Sequence, residues 1–230
     1  MSVKDFGVIT LFPEGCQAYT NASIIKRARE DGLVAINYYN PRDYTDNKHH
    51  RVDQKPYGGG PGMVLEAVPF LRAWQAAANP DKGIKKLVKL VAGKNPVYKT
   101  IFFSPSGKQF EQADAIRMAN SNHNYIFICG RYEGIDQRVV EATNAEVYSV
   151  GPYILTGGEL PALTMIDAIT RQIPGVLGDG ESLEESRIAS SAVYTKPRSF
   201  KWGGKVYSVP EVLFSGNHAE IKKWRSQHKQ

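Results

Sequence analysis

The chain alternates short apolar runs with longer amphipathic segments, and this alternation limits the folds that it can adopt. Five runs of five or six residues, rich in β-branched and aromatic side chains, predict buried strands. They cover residues 6–11, 33–37, 100–104, 125–129 and 146–150. Because helical segments stand between them, the pattern favours an α/β fold with a largely parallel sheet whose two faces are covered by crossover helices.

The helical segments carry apolar residues on one side at the spacing of an α-helix. They are predicted over residues 21–30, 66–78, 84–91, 113–119, 137–142, 160–171 and 217–227. The polar, glycine-rich stretch from Asn40 to Gly62 is predicted to be a long loop, and a loop of this length inside a compact domain is usually functional or disordered.

The sequence changes character after residue 176. Residues 177–193 are mostly small, polar or acidic and lack a periodic apolar face, which predicts a flexible linker. Residues 194–230 are rich in Lys, Arg and aromatic side chains and are predicted to form a small, basic, mostly helical domain. Asn217 and Glu220 have the spacing of a capping box at the start of its clearest helix.

The composition is that of a globular protein, with 42% hydrophobic and 23% charged residues in a chain of 230. It excludes collagen, coiled coils and wholly disordered chains. No apolar run approaches the ~20 residues that cross a bilayer, and the N-terminus lacks the order of a secretory signal, so a soluble cytoplasmic protein is expected. Two cysteines, Cys16 and Cys129, are too few for a disulfide framework. The net charge of +6 favours a polyanionic partner.

Three glycine-bearing turns, at residues 104–107, 130–136 and 151–159, directly follow predicted strands. Since ligands of open α/β sheets bind beyond the carboxyl ends of the strands, these turns predict one pocket built largely from backbone amides and carbonyls. A fourth cluster, YGGGPGM at residues 57–63, fits neither a Walker loop nor the dinucleotide fingerprint. For this cluster a tight turn and a ligand loop remain equal alternatives.

Other reactive side chains favour no second function. His49 and His50 are adjacent, so their side chains diverge, and no cysteine is near them in the sequence; no metal site is predicted. Ser104, Ser106 and Ser215 lack the Gly-x-Ser-x-Gly context of a nucleophile elbow, which disfavours a hydrolase.

Six motifs occur in the same order as in a known family. They are PYGGGPGM (56–63), SPSG (104–107), CGRYEGID (129–136), YILTGGELPALTMIDAI (153–169), IPGVLG (173–178) and SGNHAEIKKWR (215–225). With them the chain resembles the bacterial tRNA (guanine-N1-)-methyltransferase family of the knotted SPOUT class over nearly its whole length. The resemblance implies that residues 1–176 form the methyltransferase domain, with a trefoil knot over about residues 100–176, and that residues 194–230 bind tRNA.

The resemblance also implies S-adenosylmethionine as the methyl donor, held by loops that follow the sheet strands. The residues that match the family's donor site are Ser104, Pro105, Gly107, Gly130, Glu133, Val150, Gly151, Pro152, Tyr153, Ile154, Leu155, Gly58, Gly59 and Gly60. Pro152 stands where the family usually has aspartate, and a proline removes a backbone amide donor.

Methylation of guanine N1 requires a base for the N1 proton and a cation or hydrogen-bond donor for the charge that develops on O6. The resemblance assigns the O6 contact to Arg171 and the base to an aspartate in the linker. This chain has glutamates at that place. Glu185, which precedes a serine as the family's aspartate does, is therefore the expected base, and Glu184 is the alternative.

The implied substrate is guanosine 37 of tRNA, bound through the anticodon stem-loop. The resemblance further implies a homodimer with an active site shared between subunits, no membrane partner, and magnesium as a candidate assisting ion. Two other functions remain open: a catalytically weak RNA-binding homologue, motivated by the missing linker aspartate and Pro152, and a SPOUT methyltransferase acting on another RNA site. The extra lysines from Lys82 to Lys94 are interpreted as a solvated helix face.

Overall fold

The computed structural model describes residues 3–79, 97–177 and 192–228. The chain divides into two compact units, Met1–Val176 and Leu177–Gln230. The predicted helix at 84–91 and residues 178–191 of the predicted linker lie outside the described residues.

The first unit contains seven strands and six α-helices within its described residues. The strands are β1 (Lys4–Ile9), β2 (Val34–Tyr39), β3 (Asp53–Gln54), β4 (Val64–Leu65), β5 (Tyr98–Gln109), β6 (Asn124–Ile128) and β7 (Glu146–Ser149). The helices are α1 (Pro13–Thr20), α2 (Ser23–Glu30), α3 (Ala67–Ala78), α4 (Gln112–Asn120), α5 (Gln137–Thr143) and α6 (Glu159–Arg171).

The long strands form one sheet in the order β2-β1-β6-β5-β7. Every neighbouring pair in it is parallel, which confirms the predicted α/β fold with a parallel sheet. The carboxyl ends of β5, β6 and β7 therefore lie side by side at one edge. The short strands β3 and β4 pair with each other in an antiparallel ladder.

Both faces of the sheet are buried under helices. Phe6, Val8 and Phe127 belong to the core that contains buried side chains of α1, α2, α4 and α6. Ile126 and Ile128, the alternate residues of β6, belong to a second core with buried side chains of α3 and α5. Because neighbouring side chains of one strand enter different cores, the strands read as continuous apolar runs rather than as alternating patterns.

Strand β5 differs from its prediction, because it continues through the predicted turn at residues 104–107. Its pairing with β7 shifts between Phe103 and Lys108, and both of these residues lie opposite Tyr148. The predicted turn is thus a bulge inside a strand. Gly107 makes the bulge possible, since a Cβ there would lie 2.7 Å from the backbone carbonyl carbon of Tyr148.

Helix α1 was not predicted from the sequence. Pro13, which follows the strand predicted at residues 6–11, occupies the first turn of this helix. Proline is favoured there because N–H groups of the first turn have no partner within the helix, so their loss costs nothing, and because the φ angle of proline is already helical. The local sequence is therefore compatible with a helix as well as with a loop after the strand.

The second unit contains an antiparallel hairpin of β8 (Ser199–Trp202) and β9 (Lys205–Ser208), a short 3-10 helix (Glu211–Phe214) and helix α7 (His218–Gln227). The side chain of Asn217 accepts hydrogen bonds from the backbone N–H groups of Ala219 and Glu220 and so caps α7. The helix was predicted and the hairpin was not. Among the described helices of both units, none is long and apolar enough to cross a membrane.

Candidate active site

A cavity of about 400 Å³ opens at the carboxyl edge of the sheet, where β5, β6 and β7 end. The bulge within β5 and the segments that follow β6 and β7 supply most of its walls, and these contain the three predicted glycine-bearing turns. The predicted donor-site residues that line it are Ser104, Pro105, Gly130, Glu133, Val150, Gly151, Tyr153, Ile154 and Leu155. The structure therefore brings most of the expected residues into one pocket.

The remaining predicted residues do not line the cavity. Gly107 packs against the backbone of β7, and Pro152 lies between two residues that do line the pocket. Gly58, Gly59 and Gly60 all adopt positive φ angles, and a Cβ on any of them would meet no other atom within 4 Å. These three glycines form an open turn rather than a wall of the cavity.

Backbone pairing nevertheless joins the YGGGPGM segment to the pocket. The N–H of Glu133 donates to the carbonyl of Met63 at 3.1 Å, and the N–H of Leu65 donates to the carbonyl of Gly134 at 3.0 Å. A Cβ on Gly62 would lie 2.4 Å from a carboxylate oxygen of Glu133. Gly62 therefore leaves the space in which the side chain of Glu133 lies.

Gly158 joins the two loops that form the pocket beside β6. Its N–H donates to the carbonyl of Gly130 at 2.9 Å. A Cβ at this position would lie 2.7 Å from the Cα of Cys129. Because the obstructing atom belongs to the backbone, the residue before α6 must be glycine for this close approach.

A partly buried ion pair, not expected from the sequence, holds the same two loops together. Nε of Arg131 lies 3.0 Å from a carboxylate oxygen of Glu159, the first residue of α6. The hydroxyl of Thr10 donates to the other oxygen at 2.8 Å. The guanidinium of Arg131 also lies 4.6 Å from the ring centroid of Phe12, a distance typical of a cation–π contact. The loops after β1 and β6 and the start of α6 therefore meet at Glu159.

The two cysteines near this ion pair, Cys16 and Cys129, are kept in the protonated thiol form by their buried surroundings. Burial raises the pKa of the Cys16 thiol to about 11, and the nearby carboxylate of Glu159 adds to the effect. Burial, again followed by Glu159, raises the pKa of Cys129 well above its usual value. Since the thiolate is the nucleophilic form, neither residue can serve as a nucleophile at neutral pH.

Of the predicted catalytic residues, Arg171 belongs to the described chain, and it is not among the residues that line the cavity. Arg171 is the last residue of α6, whereas the first turn of the same helix lines the pocket through Pro161. At 1.5 Å per residue, the 13 residues of α6 separate its ends by about 18 Å. Glu185 and its alternative Glu184 lie outside the described residues.

Residues 3–79, 97–177 and 192–228 contain no group of three or more His, Cys, Asp or Glu side chains that is placed to hold a metal ion. His50 instead contacts the carbonyl of Arg42, with Nδ1 at 2.9 Å from the oxygen.

Comparisons with known proteins agree with the motifs that form the pocket. The family model of tRNA (Guanine-1)-methyltransferase TrmD matches residues 4–230. A Moorella thermoacetica protein named tRNA (guanine-N(1)-)-methyltransferase is 45% identical over 224 residues, which cover 96% of this chain and 83% of that protein.

Two further relatives carry the same name. The protein of Carboxydothermus hydrogenoformans is 44% identical, with 96% of this chain and 80% of the relative covered. The protein of Photobacterium profundum is 42% identical, with 95% and 82% covered. The matched region includes both compact units and every glycine-bearing segment of the pocket. The resemblance is thereby confirmed, and the chain belongs to the tRNA (Guanine-1)-methyltransferase TrmD family.

Proposed function

We propose that this chain is a tRNA (guanine-N(1)-)-methyltransferase that transfers the methyl group of S-adenosylmethionine to N1 of guanosine 37, beside the anticodon. The observation that carries the proposal is the pocket at the carboxyl edge of the sheet, because its walls are the motif segments on which the family resemblance rests. Membership of the family supplies the reaction class.

The residues of the pocket fit the methyl donor. Its volume of about 400 Å³ is within the range of small-molecule sites. Glycines at 130, 151, 157 and 158 line the pocket and, having no side chains, let a nucleoside and an amino-acid group approach its walls closely, and Phe102 and Leu155 supply apolar contacts. When bound, S-adenosylmethionine supplies an electrophilic methyl group on a sulfonium. The task of the protein is then positioning and proton removal.

The acceptor must lose a proton before its nitrogen can attack. A linker carboxylate, which we assign to Glu185 with Glu184 as the alternative, takes the proton from N1. The N1 electron pair forms the bond to the methyl carbon while the carbon–sulfur bond breaks and leaves its electron pair on sulfur. The guanidinium of Arg171 stabilises the charge that develops on O6.

The position of Arg171 supports a shared active site. Arg171 lies 10 residues beyond Pro161, the last residue of α6 that lines the pocket, which places it about 15 Å along the helix from the cavity of its own chain. We therefore assign the Arg171 contact to a second copy in a homodimer, in line with the family resemblance. The close packing of Gly158 on Cys129 supports the assignment of the trefoil knot to about residues 100–176, where loops pass tightly against strand ends.

The second unit is the proposed contact for the anticodon stem-loop. Its described residues include seven Lys or Arg and two acidic residues. The basic residues expected to contact phosphates are Lys196, Arg198, Lys201, Lys222, Lys223 and Arg225. Charge of this sign and density attracts the phosphate backbone irrespective of sequence.

Methyl transfer from labelled donor to tRNA transcripts tests the proposed function. The transcripts carry guanosine or adenosine at position 37 and are otherwise identical. We expect transfer only to the first. Donor binding without transfer to either would support the catalytically weak homologue, and equal transfer to both would support a methyltransferase of another RNA site.

Mixed dimers test the shared site. Glu133→Ala, which alters the pocket, and Arg171→Ala should each abolish activity in the separate homodimers. Mixing and refolding them together should restore about one quarter of wild-type activity, because half of the random dimers contain one intact composite site. Absence of restoration would reject sharing of the site.

Single-turnover rates test the base. Glu185→Ala should slow transfer by about a hundredfold or more, and Glu185→Asp should retain part of the rate. Wild-type rates in both Glu185→Ala and Glu184→Ala would reject base catalysis from this linker.

A further inference from the structure

The hairpin of the second unit has three aromatic rings and one lysine on a single face. Strand register pairs Phe200 with Tyr207 and Trp202 with Lys205. Cross-strand partners and alternate residues of a strand share a face, so these four side chains lie together. The rings of Phe200 and Tyr207 are stacked with centroids 5.5 Å apart. We call these four residues the aromatic face.

The rings of the aromatic face are exposed. Trp202 exposes 75% of its surface, Phe200 55% and Tyr207 43%. Contiguous apolar side chains at the surface mark an interaction site more often than isolated ones do. Burial in the core of this unit therefore does not explain why three aromatic residues occur in eight strand positions.

The hairpin carries one cation on the aromatic face and one on its opposite face. Nζ of Lys205 lies 5.5 Å from the ring centroid of Tyr207, and Lys201 lies on the opposite face of the same hairpin. The described part of this unit has seven basic and two acidic residues. A second copy of the unit would bring like charges together at this face, whereas a polyanion would be attracted to it.

Rings interleaved with cations are the combination that binds unpaired nucleotides. Every base has a π-face that can stack on an aromatic side chain, and the phosphates attract the neighbouring lysines. Paired RNA hides its base faces inside the helix and offers only its backbone and groove edges. The aromatic face thus matches the chemistry of single-stranded RNA better than that of a duplex.

We propose that the aromatic face stacks unpaired bases of the RNA substrate, with Trp202 as the principal stacking residue and Lys205 contacting an adjacent phosphate. This inference rests on the proposed function, because it takes tRNA as the substrate. It adds a recognition role to the second unit. The unit would bind unpaired bases of the anticodon loop by stacking, in addition to attracting the phosphate backbone of the RNA.

Conservative substitutions at Trp202 in the full-length protein test the inference. Trp202→Leu keeps an apolar side chain and removes the ring, and it should raise the KM for tRNA about tenfold. Trp202→Phe should retain most of the affinity. Val206→Ala, on the opposite face, is the matched control and should change little. Equal KM values for Trp202→Leu and the wild type, or equal losses in the Leu and Phe variants, would overturn the proposal.

A spectroscopic measurement separates stacking from a structural role. The part of the protein fluorescence that Trp202→Phe removes should be quenched by a single-stranded RNA oligonucleotide and much less by a fully paired duplex of equal length. Equal quenching by both would overturn the proposal. So would a change of sedimentation coefficient in Trp202→Leu without loss of RNA binding, because it would make the face a contact between copies.

The donor affinity distinguishes failure of this inference from failure of the proposed function. All three variants should bind S-adenosylmethionine as the wild type does, since none lies at the pocket. Methyl transfer by the wild type with an unchanged KM in Trp202→Leu would reject the inference alone. Lack of transfer by the wild type, with Trp202-dependent binding of RNA, would reject the enzyme function and support the stacking surface.

Discussion

The two pocket loops can approach each other closely because residue 158 is glycine and has no side chain. A Cβ at position 158 would lie 2.7 Å from the Cα of Cys129, the residue that follows β6. Because this is a backbone atom, no rotation of a side chain could relieve the contact.

Gly158→Ala should therefore displace the loop, lower the free energy of unfolding by about 2 kcal/mol and weaken donor binding. Urea unfolding and titration calorimetry measure the two effects. Gly15→Ala is the control, because a Cβ in α1 at that position meets no other atom within 4 Å. It should stabilise the protein by about 0.5 kcal/mol. Equal stability of the two variants would contradict the packing described for Gly158.

The ion pair of Arg131 and Glu159 should act as a unit. Removal of either partner leaves a poorly solvated charge, so Arg131→Met and Glu159→Gln should each cost about 2 kcal/mol of stability, whereas the double variant should cost less than their sum. The KM for the donor should rise more than kcat falls, because Arg131 lines the donor pocket and its pair with Glu159 positions the loops that form the pocket. Strict additivity of the two losses would show that the pair is not coupled.

The sequence predicted the residues of the pocket better than the contacts that hold them. Glycines were recognisable because their spacing after apolar runs is itself a signal of strand-end turns. Arg131 and Glu159 gave no signal, because they are 28 positions apart and their pairing depends on the path of the chain. Glu133 was expected at the pocket only through the family resemblance.

At the scale of elements, Lys4 links the first strand to the end of a helix. Its ammonium donates to the carbonyls of Met118, Ser121 and His123 at 3.0, 2.6 and 3.0 Å. The first two of these carbonyls lie in the last turn of α4 and at its C-cap, where backbone oxygens lack partners within the helix. Burial lowers the pKa of Lys4 from its usual value, because it removes water from the charged ammonium. The three hydrogen bonds partly offset this desolvation cost.

Lys4→Met should lower the free energy of unfolding by about 2 kcal/mol, because three carbonyls lose their donor while the apolar stem is kept. Chemical denaturation measures this loss. Lys26→Met removes an exposed pair with Glu30 and should cost less than about 0.5 kcal/mol. Donor affinity should be unchanged in both. Similar losses of unfolding free energy in the two variants would show that the three hydrogen bonds of Lys4 stabilise the protein no more than an exposed ion pair does.

The buried strands of the parallel sheet were predictable from the sequence, and the exposed strands of the hairpin were not. The parallel strands gave continuous apolar runs because both of their faces are covered. The hairpin of β8 and β9 gave no such run, since its strands have four residues each and are exposed on both sides. The bulge in β5 was read as a turn because proline and glycine favour turns and bulges alike.

The whole molecule carries a net charge of +6, and its positive charge is concentrated in residues 194–230, which contain eight basic and two acidic residues. The second unit has seven basic and two acidic residues among those described. The lysines from Lys82 to Lys94 contribute too, but they lie outside the described residues. The sequence shows which segments carry the positive charge. It does not show that Lys205 lies beside the exposed rings, which follows from the register of the hairpin strands.

Binding of tRNA should therefore depend steeply on salt. The logarithm of the association constant should fall linearly with the logarithm of salt concentration, with a slope that corresponds to several phosphate contacts. Lys222→Gln combined with Lys223→Gln should lower the magnitude of the slope by about 2. Filter binding at several salt concentrations measures it. A slope near zero would contradict a phosphate-binding role for the second unit.

The identity of the methylated nucleoside tests the central claim most directly. Purified protein is incubated with tRNA transcript and donor carrying a deuterated methyl group, and the digested RNA is analysed by mass spectrometry. The account predicts deuterated 1-methylguanosine from the transcript with guanosine at position 37, and none when that guanosine is replaced. Label in a ribose-methylated nucleoside or in another base, or no label at all, would contradict it.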